Sequence, residues 1–382
     1  MKLYQKDIDK EIERYTVGDD YLLDENLLVF DIKASIAHAK MLGKIGILSS
    51  DETKKLVNAL QSIVKLEIHQ DDEDVHTAIE NFLVKKLGDL GKKIHTGRSR
   101  NDQVTVAMRL YTKEHILEAQ SKVKDLINEM NNFAQKNNYL LPGYTHMQKA
   151  MPSSISMWIA GYVAALSDCL WSLSKAYDLT DQNPLGSAAG YGTNLDLDKN
   201  YTSKLLGFSK EQVTTYVQLS RGLIESESIF VLSQIMDVVA KLSTDLLLFT
   251  TSEFDYFSLP DSFVTGSSIM PQKKNYDVFE LARAKSKVVF GNLVTVKSLS
   301  SSLPSGYNRD FQLLKKPLFD SFDTTISTLS VFKKVFENLI VNKKKISDAM
   351  TPELYATEKA YALVKKGIPF RDAYMEVKKE FE

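Results

Sequence analysis

Cysteine occurs once in this 382-residue chain, at Cys169. A lone cysteine excludes an internal disulfide and argues against a cysteine-based zinc site. Its apolar, helical neighbourhood predicts a packed core thiol. A charge excess of either sign is also missing, since 48 Lys and Arg face 49 Asp and Glu. That balance argues against a general nucleic-acid binder. No uncharged apolar run reaches the ~20 residues of a membrane span; the longest candidate, 152–167, reads as a buried helix. The N-terminal stretch 1–14 is charged throughout and lacks the apolar core of a signal peptide, so a cytoplasmic location is expected. The glycine-rich segment 183–194 contains neither GxxxxGK nor GxGxxG. It predicts turns and a short hairpin, not a phosphate loop.

Glycine and proline are absent from 101–141 and again from 223–259. In the first stretch Leu110, Ile116, Val123, Leu126, Ile127, Met130 and Phe133 recur at helical spacing. In the second, apolar residues from Ile229 to Leu246 cover most of a helix circumference, interrupted by Asp237, Lys241 and Asp245. Helices of this length need partners to bury their faces. Further helices are expected over 24–43, from a cap at 50–52 to about 65, over 153–181, before 303, and over 311–341. Asp74 is placed to cap a helix carrying Val75, Ile79 and Leu83, and 69–74 reads as a solvated acidic loop. The expectation is an all-α long-helix bundle. Its parts would be an N-terminal helical domain (1–94), a central bundle (95–341) and a small, abbreviated C-terminal helical domain (342–382).

Polar motifs sit in the breaks between these helices. Residues 266–275 read GSSIMPQKKN, a glycine- and proline-shaped loop that presents hydroxyls and ammonium groups together. A serine hydroxyl reacts only when its alkoxide is stabilised, which nearby lysines can do. The bland alternative is a polar surface loop. Residues 88–103 gather Lys92, Lys93, His95, Arg98 and Arg100, with no interleaved aromatics. That fits recognition of a small carboxylate better than nucleic acid. His146 lies in a Gly/Pro-bounded segment, GYTHMQKAMP (143–152), where functional residues concentrate, although a lone histidine is more often structural. His76 and Glu80 share a helix side, but no second histidine or cysteine makes up a metal site.

GSSIMPQKKN resembles the signature loop of the fumarase/aspartase superfamily, and its QKKN ending that of the argininosuccinate lyases. HTGRSRND (95–102), EDVHTAIE (73–80), GYTH (143–146), YNRDFQ (307–312) and GIPFRDAY (367–374) resemble segments of the same family. The chain departs from it at 219–222, where LSRG replaces an SDRD-like sequence, and at Tyr276, where the family has proline. The resemblance implies β-elimination of argininosuccinate to arginine and fumarate, a step of arginine biosynthesis, with no cofactor or metal. It implies Ser267 as base, Lys273 as stabiliser of the carboxylate on which charge builds, and His146 on the acid side. It also implies substrate contacts from Ser99, Arg100, Asn101, Thr145, Gln148, Asn275, Tyr307 and Gln312, while Glu280, five residues past Asn275, could face the loop. A homotetramer whose sites are each built from three subunits is implied as well. Two rivals remain open: a fumarate-releasing lyase acting on another amine, and a non-catalytic relative.

Overall fold

The two stretches without glycine and proline both form long helices. The computed structural model describes residues 9–381; residue 382 and the first eight residues of the charged N-terminal stretch lie outside them. Five long helices dominate: α1 (Arg100–Lys136), α2 (Ile155–Thr180), α3 (Leu223–Phe249), α4 (Asp277–Ser300) and α5 (Lys315–Asn338). Shorter helices fill the remainder, and the strands amount to three two-stranded ladders among the described residues. The fold is therefore all-α, as expected. None of the described helices is long and apolar enough to cross a membrane.

Several boundaries differ from expectation, each for a local reason. The helix Ser50–Gln61 is capped by Ser49, one residue earlier than predicted, through a reciprocal capping box with Glu52. Helix α1 stops at Lys136, and 140–154 forms an antiparallel hairpin, β1 (Leu140–Thr145) and β2 (Gln148–Ser154). Pro142 and Pro152 face each other across this ladder. A two-stranded ribbon tolerates them because one edge of each strand needs no donor. A bulge follows Gly143, where an added Cβ would lie 2.9 Å from the Met151 carbonyl oxygen. The predicted short hairpin within 183–194 is absent; Gln182–Asn183 instead pairs in parallel with Lys210–Glu211.

The chain divides into two compact units. The first comprises 1–118, 172–231 and 290–322. Its core includes an aromatic cluster in which Tyr111 packs against Phe30, Phe319 and Phe322 at centroid separations of 5.7, 4.4 and 6.1 Å. The second comprises 119–171, 232–289 and 323–382. There Trp158 stacks on Phe257 at 5.5 Å and meets Phe249 edge-on. Asp245, an interruption in the apolar sequence of α3, is satisfied by the Trp158 indole N–H at 2.8 Å and the Tyr162 hydroxyl at 2.6 Å. Tyr144 of β1 joins this aromatic layer and hydrogen-bonds the Tyr256 hydroxyl at 2.7 Å, which anchors the hairpin base. Cys169 is buried, as expected, and burial pushes its thiol up to about 11.

Candidate active site

In the second unit, the loop 266–275 is closed at its base by a two-way bridge. Thr265 N–H donates to Asn275 O at 3.0 Å and Asn275 N–H returns to Thr265 O at 2.8 Å. The Asn275 amide also donates to Gly266 O at 3.2 Å. Inside this closed loop Ser267 Oγ accepts the backbone N–H groups of Ile269 and Met270, at 3.3 and 3.1 Å. Two converging amide donors favour the alkoxide over the neutral hydroxyl, as hydrogen bonds to a charged form do generally. The two lysines differ. Lys274 pairs with Asp261 at 2.6 Å, whereas exposed Lys273 forms no ion pair among the described residues. The cation six residues after the serine is thus the uncommitted one. Glu280 is exposed in the first turns of α4. Tyr276, at the family's proline position, stacks on Phe279 at 6.0 Å.

His146, in the same unit, is not in an irregular loop. Thr145 pairs with Gln148, so His146 and Met147 form the two-residue tip of the hairpin. Both have positive φ, 52° and 62°, the geometry of a type I′ turn. Methionine does not favour that geometry, and histidine adopts it more readily than most non-glycine residues but still uncommonly. The sequence signal for such turns, Asn-Gly or Asp-Gly, is missing, which is why the hairpin was not legible. A non-glycine residue held at positive φ is a strained position of the kind that clusters at functional sites. Thr145, His146 and Gln148 are all exposed at this tip.

The first unit contains a separate cavity of about 130 Å³. Of the predicted residues, Arg100, Asn101, Tyr307 and Gln312 line it, and so do His76, Asp20, Arg221 and Lys315. The Gln312 amide donates to Thr16 O and Val17 O at 3.2 and 3.0 Å, capping the helix Lys10–Val17. Ser99 lies outside the lining and acts as the cap of α1. Its Oγ accepts Asn101 N–H at 3.3 Å, and its own N–H donates to Asp102 Oδ1 at 2.9 Å. Burial pushes Asp102 up to about 6, against the N–H groups of Ser99, Ala188 and Gly186 that bind it.

The five-cation cluster expected around 92–100 is dispersed. Lys92 pairs with Asp89, Lys93 with Glu52, and His95 lies 3.5 Å from Glu80. Only Arg100 of the five reaches the cavity. It is held there by Glu73 at 3.2 Å, Asp74 at 3.4 Å and the Thr77 hydroxyl. The predicted solvated acidic loop is therefore corrected: its last residues pair with Arg100, and Asp74 also caps Val75–Leu87.

Arg98 heads a buried chain. Its Nη1 donates to Ser35 Oγ at 3.0 Å, Ser35 Oγ donates to Asp31 Oδ1 at 3.3 Å, and His76 Nδ1 donates to Asp31 Oδ2 at 2.9 Å. Burial disfavours an imidazolium at His76, but Asp31, then Asp74 and Asp24, outweigh it and hold the pKa above its ordinary value. Burial likewise opposes ionisation of Asp74, where His76, Arg100 and the Thr77 N–H win and hold the carboxyl low. Also in the cavity's lining, buried Lys315 reaches Asp20 at 2.8 Å and Asp24 at 2.5 Å.

The model of the lyase family matches residues 4–291. The argininosuccinate lyase of Thermotoga neapolitana is 44% identical, covering 100% of this chain and 98% of that protein. That of Sorangium cellulosum is 42% identical over 97% of this chain and 88% of that one. The chain belongs to the argininosuccinate lyase family. Among solved structures, EDDS lyase in complex with formate superposes with a TM-score of 0.83 at 24% identity, covering 98% of this chain and 76% of that one. Class II fumarase from Schistosoma mansoni gives 0.79 at 19% identity, over 96% and 91%. At these identities the structures establish the fold alone.

The departure from the family at 219–222 has a structural counterpart. Ser220 accepts from Arg109 Nη2 at 2.9 Å and from Gln212 at 2.8 Å. Buried Glu225 takes Arg221 Nε at 3.2 Å and Gly222 N–H at 2.7 Å. One carboxylate in the first turn of α3 thus serves the arginine that the family's two acidic positions would flank. Burial lowers Arg109 to about 10, with Glu225 opposing. Gly222 has φ +81°, and a Cβ there would fall 2.1 Å from Ser300 Cβ. Gly222→Ala is therefore expected to cost about 2 kcal/mol or more in urea unfolding. Gly207→Ala, at φ +69° with nothing within 4 Å, should cost only the backbone share, so equal losses in the two variants would refute the steric account.

Proposed function

We propose that the protein catalyses the reversible β-elimination of argininosuccinate to L-arginine and fumarate. The observation that carries this reading is Ser267 Oγ, held by two backbone N–H groups in a loop whose Lys273 is uncommitted. Ser267, as alkoxide, takes the proton from the carbon next to a substrate carboxylate. The electron pair left behind spreads onto that carboxylate, where Lys273 and Asn275 stabilise it; such electrostatic support is commonly the largest catalytic contribution. The pair then forms the C=C bond of fumarate as the C–N bond breaks, and the bonding electrons leave on the guanidino nitrogen of arginine. His146 assists that departure by supplying a proton. The mechanism calls for no metal, nucleotide or organic cofactor.

The reading includes a cytoplasmic homotetramer with sites shared between subunits. Its support is exposure: Thr145, His146, Gln148 and Lys273 all stand in solvent in the single chain, where no wall excludes water. Apolar side chains along the long helices are exposed too, among them Met157, Leu281, Val288 and Phe290 at 69, 58, 55 and 53%. Surfaces of that kind mark association sites. The test is direct. Purified protein should release fumarate, followed by ultraviolet absorbance, from argininosuccinate and not from aspartate, malate or adenylosuccinate. Light scattering on the same sample should give four times the chain mass, and a fully active monomer would overturn the shared site.

A further inference from the structure

We propose that Glu225 is a positioning residue for substrate binding: by fixing Arg221, it sets the spacing between the two chain segments that supply the first unit's cavity with its expected contacts. This rests on the functional reading above. Those segments are the start of α1, which brings Arg100 and Asn101, and 307–312, which brings Tyr307 and Gln312. Buried Arg221 reaches both. Its Nη1 donates to Thr105 Oγ1 at 3.4 Å, and Thr105 Oγ1 donates in turn to Asn101 O at 2.7 Å, one turn back along α1. Its Nη2 donates to the Phe311 carbonyl at 3.3 Å, and the guanidinium carbon sits 5.2 Å from the centre of the Phe311 ring. One guanidinium thus ties the two segments together.

Such a tie needs an arginine held in one orientation, and Glu225 supplies the hold. Its Oε2 accepts the Gly222 N–H at 2.7 Å, which pins the carboxylate to the backbone. Its Oε1 accepts Arg221 Nε–H at 3.2 Å, which steers the guanidinium. A side chain at 222 cannot take over this task, since φ there is +81° and a Cβ would fall 2.1 Å from Ser300 Cβ. Ser220 does not take it either: its hydroxyl accepts from Arg109 and Gln212 and donates to the Val217 carbonyl. Glu225 also lies 4.0 Å from buried Arg109, so one carboxylate serves two buried cations. Its charge is worth more there than at the surface, and its removal leaves both arginines to find other acceptors.

Glu225→Gln keeps the shape and one acceptor oxygen, but sets an amide NH₂ against either Arg221 Nε–H or Gly222 N–H. KM for argininosuccinate should rise about tenfold or more, the scale of a lost hydrogen bond to a charged group. kcat should change little, the pattern of lost uniform binding, because Ser267 and Lys273 belong to the other unit. Glu225→Asp keeps the charge and is one methylene too short to hold both donors; it should fold and raise KM by a smaller factor. The double variant separates positioning from general support. In an Arg221→Met background, Glu225→Gln should add nothing to KM, since its effect passes through the arginine. Wild-type KM in folded Glu225→Gln or Glu225→Asp overturns the proposal, and so do KM losses at the two positions that simply multiply. A Glu225→Asp variant that fails to fold overturns it too, by making Glu225 part of the scaffold alone. A wild-type protein that makes no fumarate from argininosuccinate overturns the functional reading itself and this role with it, an outcome distinct from any of those.

Discussion

Ser267→Ala lowers kcat by about 10³-fold, within the range typical for removal of a general base, while the Kd for argininosuccinate stays within a few-fold. The split follows from where the hydroxyl sits. Its Oγ is oriented by Ile269 and Met270 N–H groups, and those donors serve the oxygen's charge, not the substrate's ground-state binding. The loop itself should persist, because its base is closed by the Thr265–Asn275 bridge, which the substitution leaves untouched. Stopped-flow fumarate absorbance gives kcat, and calorimetry on the inactive variant gives Kd. Turnover at the wild-type rate would remove Ser267 from the reaction. An equal loss in kcat and affinity would mean that the loop, and not the base, had been damaged.

Lys315→Met should be the most destabilising single substitution at the cavity. It strips the cation from two carboxylates, Asp20 and Asp24, in a region where Lys315 is 3% and Asp24 0% exposed. Breaking a buried pair from one side costs about 3–5 kcal/mol. The cost carries a pH signature. Burial already lifts Asp20 to about 6, with Lys315 pulling the other way. A carboxyl whose folded pKa lies above its unfolded value of 3.8 contributes stability that is full below the unfolded pKa and lost as pH rises through the folded one. Removing Lys315 raises that carboxyl further. The deficit should therefore be largest near pH 7.5 and shrink towards pH 5, where the proton replaces the ammonium. Urea unfolding at fixed protein concentration would show this. A loss under ~1 kcal/mol, or one unchanged between the two pH values, would contradict the assignment of Lys315 as the counter-charge.

Legibility in the sequence depended on range. The long helices could be read because a face repeats every three to four residues, and because glycine and proline are missing where the chain must not break. The loop 266–275 could be read because its glycine, proline, hydroxyls and lysines stand side by side. The hairpin could not, since His146-Met147 carries none of the turn chemistry that advertises a type I′ turn. Nor was the dispersal of Lys93 and Arg98 visible: Glu52 lies 41 residues from Lys93, and Ser35 lies 63 from Arg98. Lys315 drew no attention in the sequence, because its carboxylates come from about 290 positions earlier, 295 to Asp20 and 291 to Asp24.

The sequence by itself determined the all-α class, the order of the long helices and the family, since each is written in local periodicity or in contiguous motifs. The tertiary structure alone decided which of those motif residues keep a free functional atom. Ser267 gained two amide donors and Lys273 stayed uncommitted, while Lys274 was neutralised by Asp261. Arg100 was absorbed by carboxylates, and His76 was left with one buried nitrogen that has no partner among the described residues. The physical reason is that a polar side chain's capacity is used up by whichever partners folding brings near it. For Ser267 they are amides of its own loop, set by the loop's shape, and for Lys274, Arg100 and His76 they come from 13, 27 and 45 residues away, where no local pattern records them.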